Sequence, residues 1–199
     1  MAFAIIRRGV SGEGYVAVPE EGSSFFISPE QLYSLGLHVD QELSEAEFAG
    51  IQGTLEGLRC RVKALALLTT REHSRFELRS KLMQKGFSTA MLDRVLDGLE
   101  SEGLLSDRRF AEQFVLSRQR KNPEGRFLLQ NRLMERGVSR QTVAQVLDGW
   151  FADTDAVESA VALATRKLAQ KKDAAVLEQE LRKKGFTLTE IRHALHGDD

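Results

Sequence analysis

One unit of sequence occurs three times in this chain. Gly86, Gly137 and Gly185 stand 51 and 48 residues apart and carry the same neighbours at fixed offsets. Eight positions before each glycine is a leucine (Leu78, Leu129, Leu177), and four before is another (Leu82, Leu133, Leu181). The preceding residue is basic (Lys85, Arg136, Lys184), the following one apolar (Phe87, Val138, Phe186), and the second after is Ser88, Ser139 or Thr187. Six after stands Leu92, Val143 or Ile191, and ten after Leu96, Leu147 or Leu195. A repeat of this period restricts the chain to a stack of similar supersecondary units.

The offsets have a physical reading. Leucines four apart lie on one helix face. A glycine in the left-handed C′ position stops that helix, and the apolar residue after it packs back on position C3, pairing Phe87 with Leu82, Val138 with Leu133 and Phe186 with Leu181. The Ser or Thr that follows caps the next helix, whose first N–H groups need an acceptor. Thr187 with Glu190, and Ser74 with Glu77, have capping-box spacing. Asn122-Pro123 reads as a cap followed by proline at the first helical position.

A further amphipathic stretch precedes each pair, with Val62, Leu65 and Leu68, then Phe110, Ala111, Phe114 and Val115, then Val157, Ala160, Val161, Ala164 and Leu168 at helical spacing. The unit is therefore three helices, and the spacing predicts helices near 44–69, 74–85, 88–102, 106–120, 123–136, 139–151, 154–171, 173–184 and 187–196. This divides the chain into residues 1–43, 44–105, 106–152 and 153–199, the last three each one repeat. Such units have small cores and are expected to share apolar surface in an extended, curved body, a shape suited to a long or grooved partner.

The N-terminal segment differs. Ala2–Arg8, Tyr15–Pro19 and Ser24–Ile27 alternate in polarity and are separated by Gly9 to Gly14 and by Glu20-Glu21-Gly22. They predict two or three short antiparallel strands, a hairpin or small meander. Ser28-Pro29-Glu30-Gln31 opens a short helix that Gly36 ends, and Ser44 with Glu47 caps the long helix beyond. The fold class is mainly α, three tandem three-helix repeats behind a small β extension.

Charge is distributed unevenly. The net charge of -1 conceals -7 over residues 1–56, +3 over 57–105, +4 over 106–152 and -1 over 153–199, counted along the sequence. A local field of +7 over the middle segments can attract a phosphate backbone or an acidic protein surface. The single cysteine, Cys60, excludes an intramolecular disulfide and suits a reducing cytoplasm. No apolar run approaches the ~20 residues of a membrane helix, and Arg7 and Arg8 follow the first apolar residues, the wrong order for a signal peptide.

Motifs for chemistry are lacking. No glycine-rich loop leads into lysine and Ser or Thr, and Gly9, Gly12 and Gly14 lie between strands without the helix a dinucleotide site requires. His38, His73, His193 and His196 are scattered; His193 and His196 sit three apart on the last helix without a third ligand nearby. Cys60 occupies an apolar helical position and reads as packing. The expectation is therefore a protein without catalytic residues, cofactor or metal.

Basic residues between the repeats are the more informative feature. Arg71, Arg75 and Arg79 are four apart across a helix start; Arg108 and Arg109 open the second repeat; Arg118, Arg120, Lys121 and Arg126 flank Asn122-Pro123; Arg132, Arg136 and Arg140 continue the face. They form a candidate stripe for DNA phosphates or acidic side chains. Basic groups at a helix end also complement its dipole, which accounts for part of the set.

Two stretches carry a family resemblance. Arg71-Glu-His-Ser-Arg-Phe-Glu-Leu-Arg-Ser-Lys-Leu-Met-Gln-Lys-Gly-Phe87 resembles the signature of the RecX family, bacterial regulators of the recombinase RecA. Gly103-Leu-Leu-Ser-Asp-Arg-Arg-Phe-Ala-Glu-Gln-Phe-Val-Leu-Ser-Arg118, followed by Gly125, Leu129, Leu133, Arg136 and Gly137, does so too. The likeness covers residues 57–199; Ser106 and Asp107 fill the place of a pair of acidic or small polar residues, a mild departure, and the N-terminal strands resemble only the longer members. The resemblance implies a monomeric cytoplasmic protein that lies in the groove of the RecA–DNA filament and limits its growth or stability. It would thereby lower strand exchange, ATP hydrolysis and co-protease activity in DNA repair, recombination and the SOS response. Its partners would be the filament and single- or double-stranded DNA without sequence preference, and no membrane. Two other readings of the residues stay open: a helix-turn-helix-like DNA-binding protein, since Leu78–Leu96 can form two helices joined by a turn, and a helical scaffold or protease adaptor.

Overall fold

The structure is a computed structural model that describes residues 3–9, 14–169 and 173–196. It is mainly helical, with a small antiparallel sheet at the N-terminus. Two compact units are present, Met1–Lys63 and Ala64–Asp199.

In the first unit β1 (Ala4–Arg8), β2 (Tyr15–Pro19), β3 (Phe25–Ile27) and β4 (Glu42–Leu43) pair in the order β3-β2-β1-β4. The register puts Ile6 opposite Ala17 and Ala4 opposite Leu43. Side chains two apart on a strand share a face, so Ala4, Ile6, Ala17, Phe25, Ile27 and Leu43 are buried together with Phe48 and Leu55. Phe48 meets Phe25 at 4.8 Å between ring centroids and Phe3 edge-on at 5.4 Å. Strand β4 goes beyond the expected meander: it is two residues long, too short for alternation to reveal. Helix α1 (Pro29–Ser34) starts at a Ser28–Gln31 capping box. Helix α2 (Glu45–Leu68) follows Ser44, whose N–H donates to the Glu47 carboxylate at 2.8 Å. Val10 to Glu13, within the expected turn, lie outside the described residues.

The second unit contains α3 (Arg75–Met83), α4 (Thr89–Ser101), α5 (Asp107–Lys121), α6 (Arg126–Met134), α7 (Arg140–Phe151), α8 (Thr154–Leu168), α9 (Ala174–Lys183) and α10 (Leu188–His196). The leucines of the repeat are its core. Leu78, Leu82, Leu92, Leu96 and Leu99 are inaccessible. Phe110, Val115, Leu129, Leu133, Val143 and Leu147 form the next cluster, and Val157, Val161, Leu181, Phe186 and Ile191 a third. Trp150 and Phe151 pack against both of the latter clusters and join them.

The glycine endings at Gly137 and Gly185 form as the offsets predict. The N–H of Val138 donates to the Leu133 carbonyl at 3.2 Å and that of Phe186 to Leu181 at 3.3 Å, the long bond of a Schellman ending. At Gly86, among the described residues, only the shorter bond to the Met83 carbonyl forms, 2.9 Å. Gly103 makes a further ending of the same type, with Leu104 N–H on the Leu99 carbonyl at 2.9 Å.

Three local expectations are corrected. Asn122-Pro123 does not start a helix: Asn122 is the C-cap of α5, and α6 begins at Arg126 after Gly125. The Gln119 side chain explains this, because it accepts the Glu124 N–H at 3.0 Å and donates to the Glu124 carbonyl at 2.8 Å, holding the segment out of a helix. Ser88 occupies the N-cap of α4 without a side-chain hydrogen bond. Ser74 caps α3 by accepting the Glu77 N–H, but the Glu77 carboxylate turns to Arg71 and Arg136 rather than completing the box.

Candidate interaction surface at the repeat junctions

The junction between the first and second repeats is polar. Ser74, fully buried, donates its Oγ proton to the Arg136 carbonyl at 2.6 Å. Asp107, at the start of α5, accepts the Arg75 main-chain N–H at 2.7 Å. Arg109 meets Glu72 at 3.0 Å. Glu77 holds Arg71 at 2.9 Å and Arg136 at 3.5 Å, and the Arg136 guanidinium lies 4.7 Å from the Phe114 ring centroid. Arg71, Glu72, Glu77 and Arg136 line a cleft of about 510 Å³ together with Phe110 and Phe114. Beside it His73 is buried; its Nδ1 lies 3.0 Å from the Arg71 carbonyl and its Nε2 lies 2.9 Å from the Lys81 ammonium. An ammonium can only donate, so Nε2 accepts and Nδ1 carries the proton. Burial, with Arg71 and Lys81 nearby, holds the imidazole below its ordinary pKa, against a raising contribution from the Arg71 carbonyl and Glu77.

The second junction repeats the plan with other groups. Gly125 donates its N–H to the Lys184 carbonyl at 2.8 Å. Glu124, 2 % exposed, takes Arg132 at 2.7 Å and Arg118 at 3.6 Å. Lys184 donates to the Asn122 side-chain oxygen at 2.7 Å, and Lys167 to the Lys121 carbonyl. Burial pushes the Lys184 ammonium down, with Lys167, Arg118 and Arg132 adding to it and Glu124 opposing. A charged group at Glu124 is tolerable only because two guanidiniums and a clamped backbone surround it.

These contacts fix the placement of the twelve basic candidates. Arg71, Arg109 and Arg136 face carboxylates across the first junction. Arg75 pairs with Asp97 at 2.7 Å and with Glu100, and Arg79 with Asp93 at 3.2 Å, all on α4. Arg108 pairs with Glu112 one helical turn on, and Arg126 with Asp148 while facing the Phe151 ring. Arg118 and Arg132 hold Glu124. Arg120, Lys121 and Arg140 remain exposed, and no ion pair joins them to a described residue. The structure thus sorts one apparent stripe into nine side chains engaged by the chain's own acids and three that are not. Of the acids at the junctions, Glu72 and Glu124 were not singled out by sequence, and Glu77 stood out only as a capping-box partner of Ser74; nothing in spacing marks any of them as an arginine partner.

Among the described residues no three His, Cys, Asp or Glu side chains are grouped to hold a metal ion, and no helix is long and apolar enough to cross a membrane. His193 faces Glu158 at 2.6 Å, and the His196 side chain lies outside the described residues. Cys60 is buried, and burial with Glu56 nearby raises its thiol pKa.

Comparison with known proteins bears directly on this arrangement. The family description "RecX, first three-helix domain" matches residues 60–99, and "RecX, second three-helix domain" matches residues 106–147. The regulatory protein RecX of Halorhodospira halophila is 36% identical over 141 residues, 68% of this chain and 86% of that one. The regulatory protein RecX of Chlorobium phaeobacteroides is 39% identical over 98 residues, 49% of this chain and 65% of that one. A crystal structure of a regulatory protein RecX superposes with a TM-score of 0.70 over 100% of both chains at 16% identity, a likeness of fold.

Proposed function

The chain belongs to the RecX family of regulatory proteins, and from that premise we propose that it is a negative regulator of the RecA recombinase. It lies in the groove of the RecA–DNA filament and limits the filament's growth or stability. Strand exchange, ATP hydrolysis and co-protease activity fall as a result, which places the protein in the cytoplasm, in DNA repair, recombination and the SOS response. It acts by binding and not by catalysis.

The observation that carries this reading is family membership on both sides of the first polar junction: the two matched three-helix domains, residues 60–99 and 106–147, are the ones that the Glu72–Arg109 and Glu77–Arg136 ion pairs tie together. Linked repeats can each make a modest contact with successive subunits of a polymer, and linkage raises the total affinity through effective concentration. Within the basic set, the side chains proposed to meet protein or phosphate are first Arg120, Lys121 and Arg140, which are exposed without a described acidic partner, whereas Arg118 and Arg132 hold the buried Glu124. The paired arginines at the surface can contribute too, because exposed ion pairs are worth only about 0–1 kcal/mol and can exchange partners.

A pull-down comparing free RecA with the RecA–DNA filament tests the reading. Retention on the filament, with a parallel fall in its ATP hydrolysis, is the expected result. Equal binding to recombinase without nucleic acid would favour the scaffold or adaptor, and preference for one duplex sequence would favour a helix-turn-helix reader; either removes the proposal.

A further inference from the structure

The groove between α5 and α8, on the second junction, is unused by the contacts described so far. It encloses about 370 Å³. Ala156, Ser159, Ala160 and Leu163, at helical spacing on α8, form its floor, and Leu116 of α5 and Trp150 of α7 add apolar surface. Leu116 is 41% exposed, an aliphatic surface without a cover. Arg120 stands in the lining with no ion pair to a described residue, and the Trp150 indole N–H meets no described acceptor. Gln119, the remaining amide there, has both side-chain polar atoms committed to the Glu124 backbone.

We propose that this groove docks a segment of the recombinase subunit that places an apolar side chain on the α8 floor and an adjacent Asp or Glu carboxylate on Arg120. The proposal rests on the filament reading above and names the part of that partner the groove accepts. Arg120, the one charged group among the described lining residues, presents a donor fork matched to a carboxylate. Small residues on a helix let a partner's backbone and one side chain approach closely, the arrangement of segment-in-groove recognition. A nucleic-acid strand fits less well: among the described lining residues Arg120 is the one cation and Trp150 the one stacking face, while Leu116, Ala156, Ala160 and Leu163 make most of the rest apolar.

The experiment uses the full chain and RecA filaments assembled on single-stranded DNA. Binding is measured for the wild type, Arg120→Lys, Arg120→Glu and Ser159→Trp, the last filling the groove from an exposed position, with far-UV circular dichroism confirming each fold. In parallel, a photoreactive benzoylphenylalanine at Ser159 is cross-linked to the filament and the product mapped. The proposal expects at least tenfold weaker binding for Arg120→Glu and Ser159→Trp, most of the affinity kept by Arg120→Lys, and a cross-link to a RecA peptide with an acidic residue beside an apolar one. Wild-type binding that both variants retain, or a cross-link to DNA, overturns the groove and leaves the filament reading standing. Failure of the wild type to bind the filament overturns both. If Ser159→Trp does not fold, Arg120→Glu and the cross-link decide.

Discussion

Ser74 Oγ donates to the Arg136 carbonyl at 2.6 Å, tying the cap of one repeat to the last residue before the glycine of the next. Gly125, at the corresponding place one repeat later, makes the same connection with its own N–H to the Lys184 carbonyl at 2.8 Å. A side-chain hydroxyl and a main-chain amide thus do one job at two junctions. Ser74 performs a second task, accepting the Glu77 N–H at 3.1 Å. Replacing it by alanine removes a cap and leaves the part-buried Arg136 carbonyl without its donor. Ser74→Ala should lower stability by about 2 kcal/mol, against about 1 kcal/mol or less for the exposed cap in Ser139→Ala. Urea unfolding of the two variants checks the difference; equal midpoints would remove the bridging role.

The second link depends on close approach. A Cβ on Gly125 would stand 1.8 Å from the Gly185 carbonyl oxygen, and one on Gly137, at φ +78°, would stand 2.3 Å from the Phe76 Cβ. Both contacts are far inside van der Waals distance, so the repeats must part to admit a methyl group. Gly125→Ala and Gly137→Ala should each destabilise by several kcal/mol; at Gly125, whose φ is -73°, the whole cost is the clash, and at Gly137 the clash adds to the ~1 kcal/mol that a left-handed conformation alone imposes. Gly98, inside α4 with nothing within 4 Å, is the control. There alanine should stabilise by up to about 1 kcal/mol through helix propensity. Thermal or urea unfolding of the three variants gives the signs.

His73 should make the fold sensitive to mild acid. Its folded-state pKa lies below the ordinary imidazole value because burial and the nearby Arg71 and Lys81 charges disfavour the imidazolium. The unfolded chain therefore binds a proton first as pH falls. Stability is fully present above the unfolded value of about 6.5 and declines as pH drops through it toward the folded pKa, where the loss levels off. Protonation would also turn Nε2 into a donor facing the Lys81 ammonium, 2.9 Å away. His73→Gln, which cannot charge, should flatten this part of the profile between pH 7.5 and 5.5 in urea unfolding. A variant as acid-sensitive as the wild type would place the transition on other groups.

Legibility in the sequence followed periodicity. Leu78, Leu82 and Gly86 and their counterparts recur because helix faces and helix stops are set by neighbours three to eight residues away, and the helices stand where those offsets put them. The N-terminal strands showed by alternation, except Glu42–Leu43, too brief to alternate. Tertiary partners left no such trace. Arg75 and Arg120 look alike in a helical pattern, yet Arg75 meets Asp97 and Glu100 on α4 while Arg120 opens on a groove. Pro123 after Asn122 has the composition of a helix start, and what overrides it is a local contact that composition does not show, the Gln119 side chain bonded to both main-chain groups of Glu124 five residues on. Local signals specify which residues face inward; which charge meets which is decided by elements distant in sequence.

That sorting separates stability from recognition among side chains of one type. Arg118 and Arg132 both hold Glu124, whose side chain is 3% exposed, so removing either leaves a buried carboxylate short of a partner. Arg132→Ala, which deletes the 2.7 Å contact, should cost about 2 kcal/mol, less than the ~3–5 kcal/mol of a wholly buried pair because the guanidinium is a third exposed. In Glu124→Ala the same arginine change should cost much less, a coupling that a double-mutant cycle measures. Lys121 and Arg140 have no described acidic partner, and alanine at either should leave the unfolding midpoint within about 0.5 kcal/mol of the wild type. Binding to the RecA–DNA filament should respond in the opposite order. Lys121→Ala and Arg140→Ala should each weaken it two- to fivefold, the size of an exposed ion pair, with the effect shrinking as salt is raised. Arg132→Ala should lower affinity only as far as it populates unfolded chain. Parallel urea titrations and filament-binding isotherms on the same preparations decide this, and a loss of affinity that tracks loss of stability across all the variants would contradict the division.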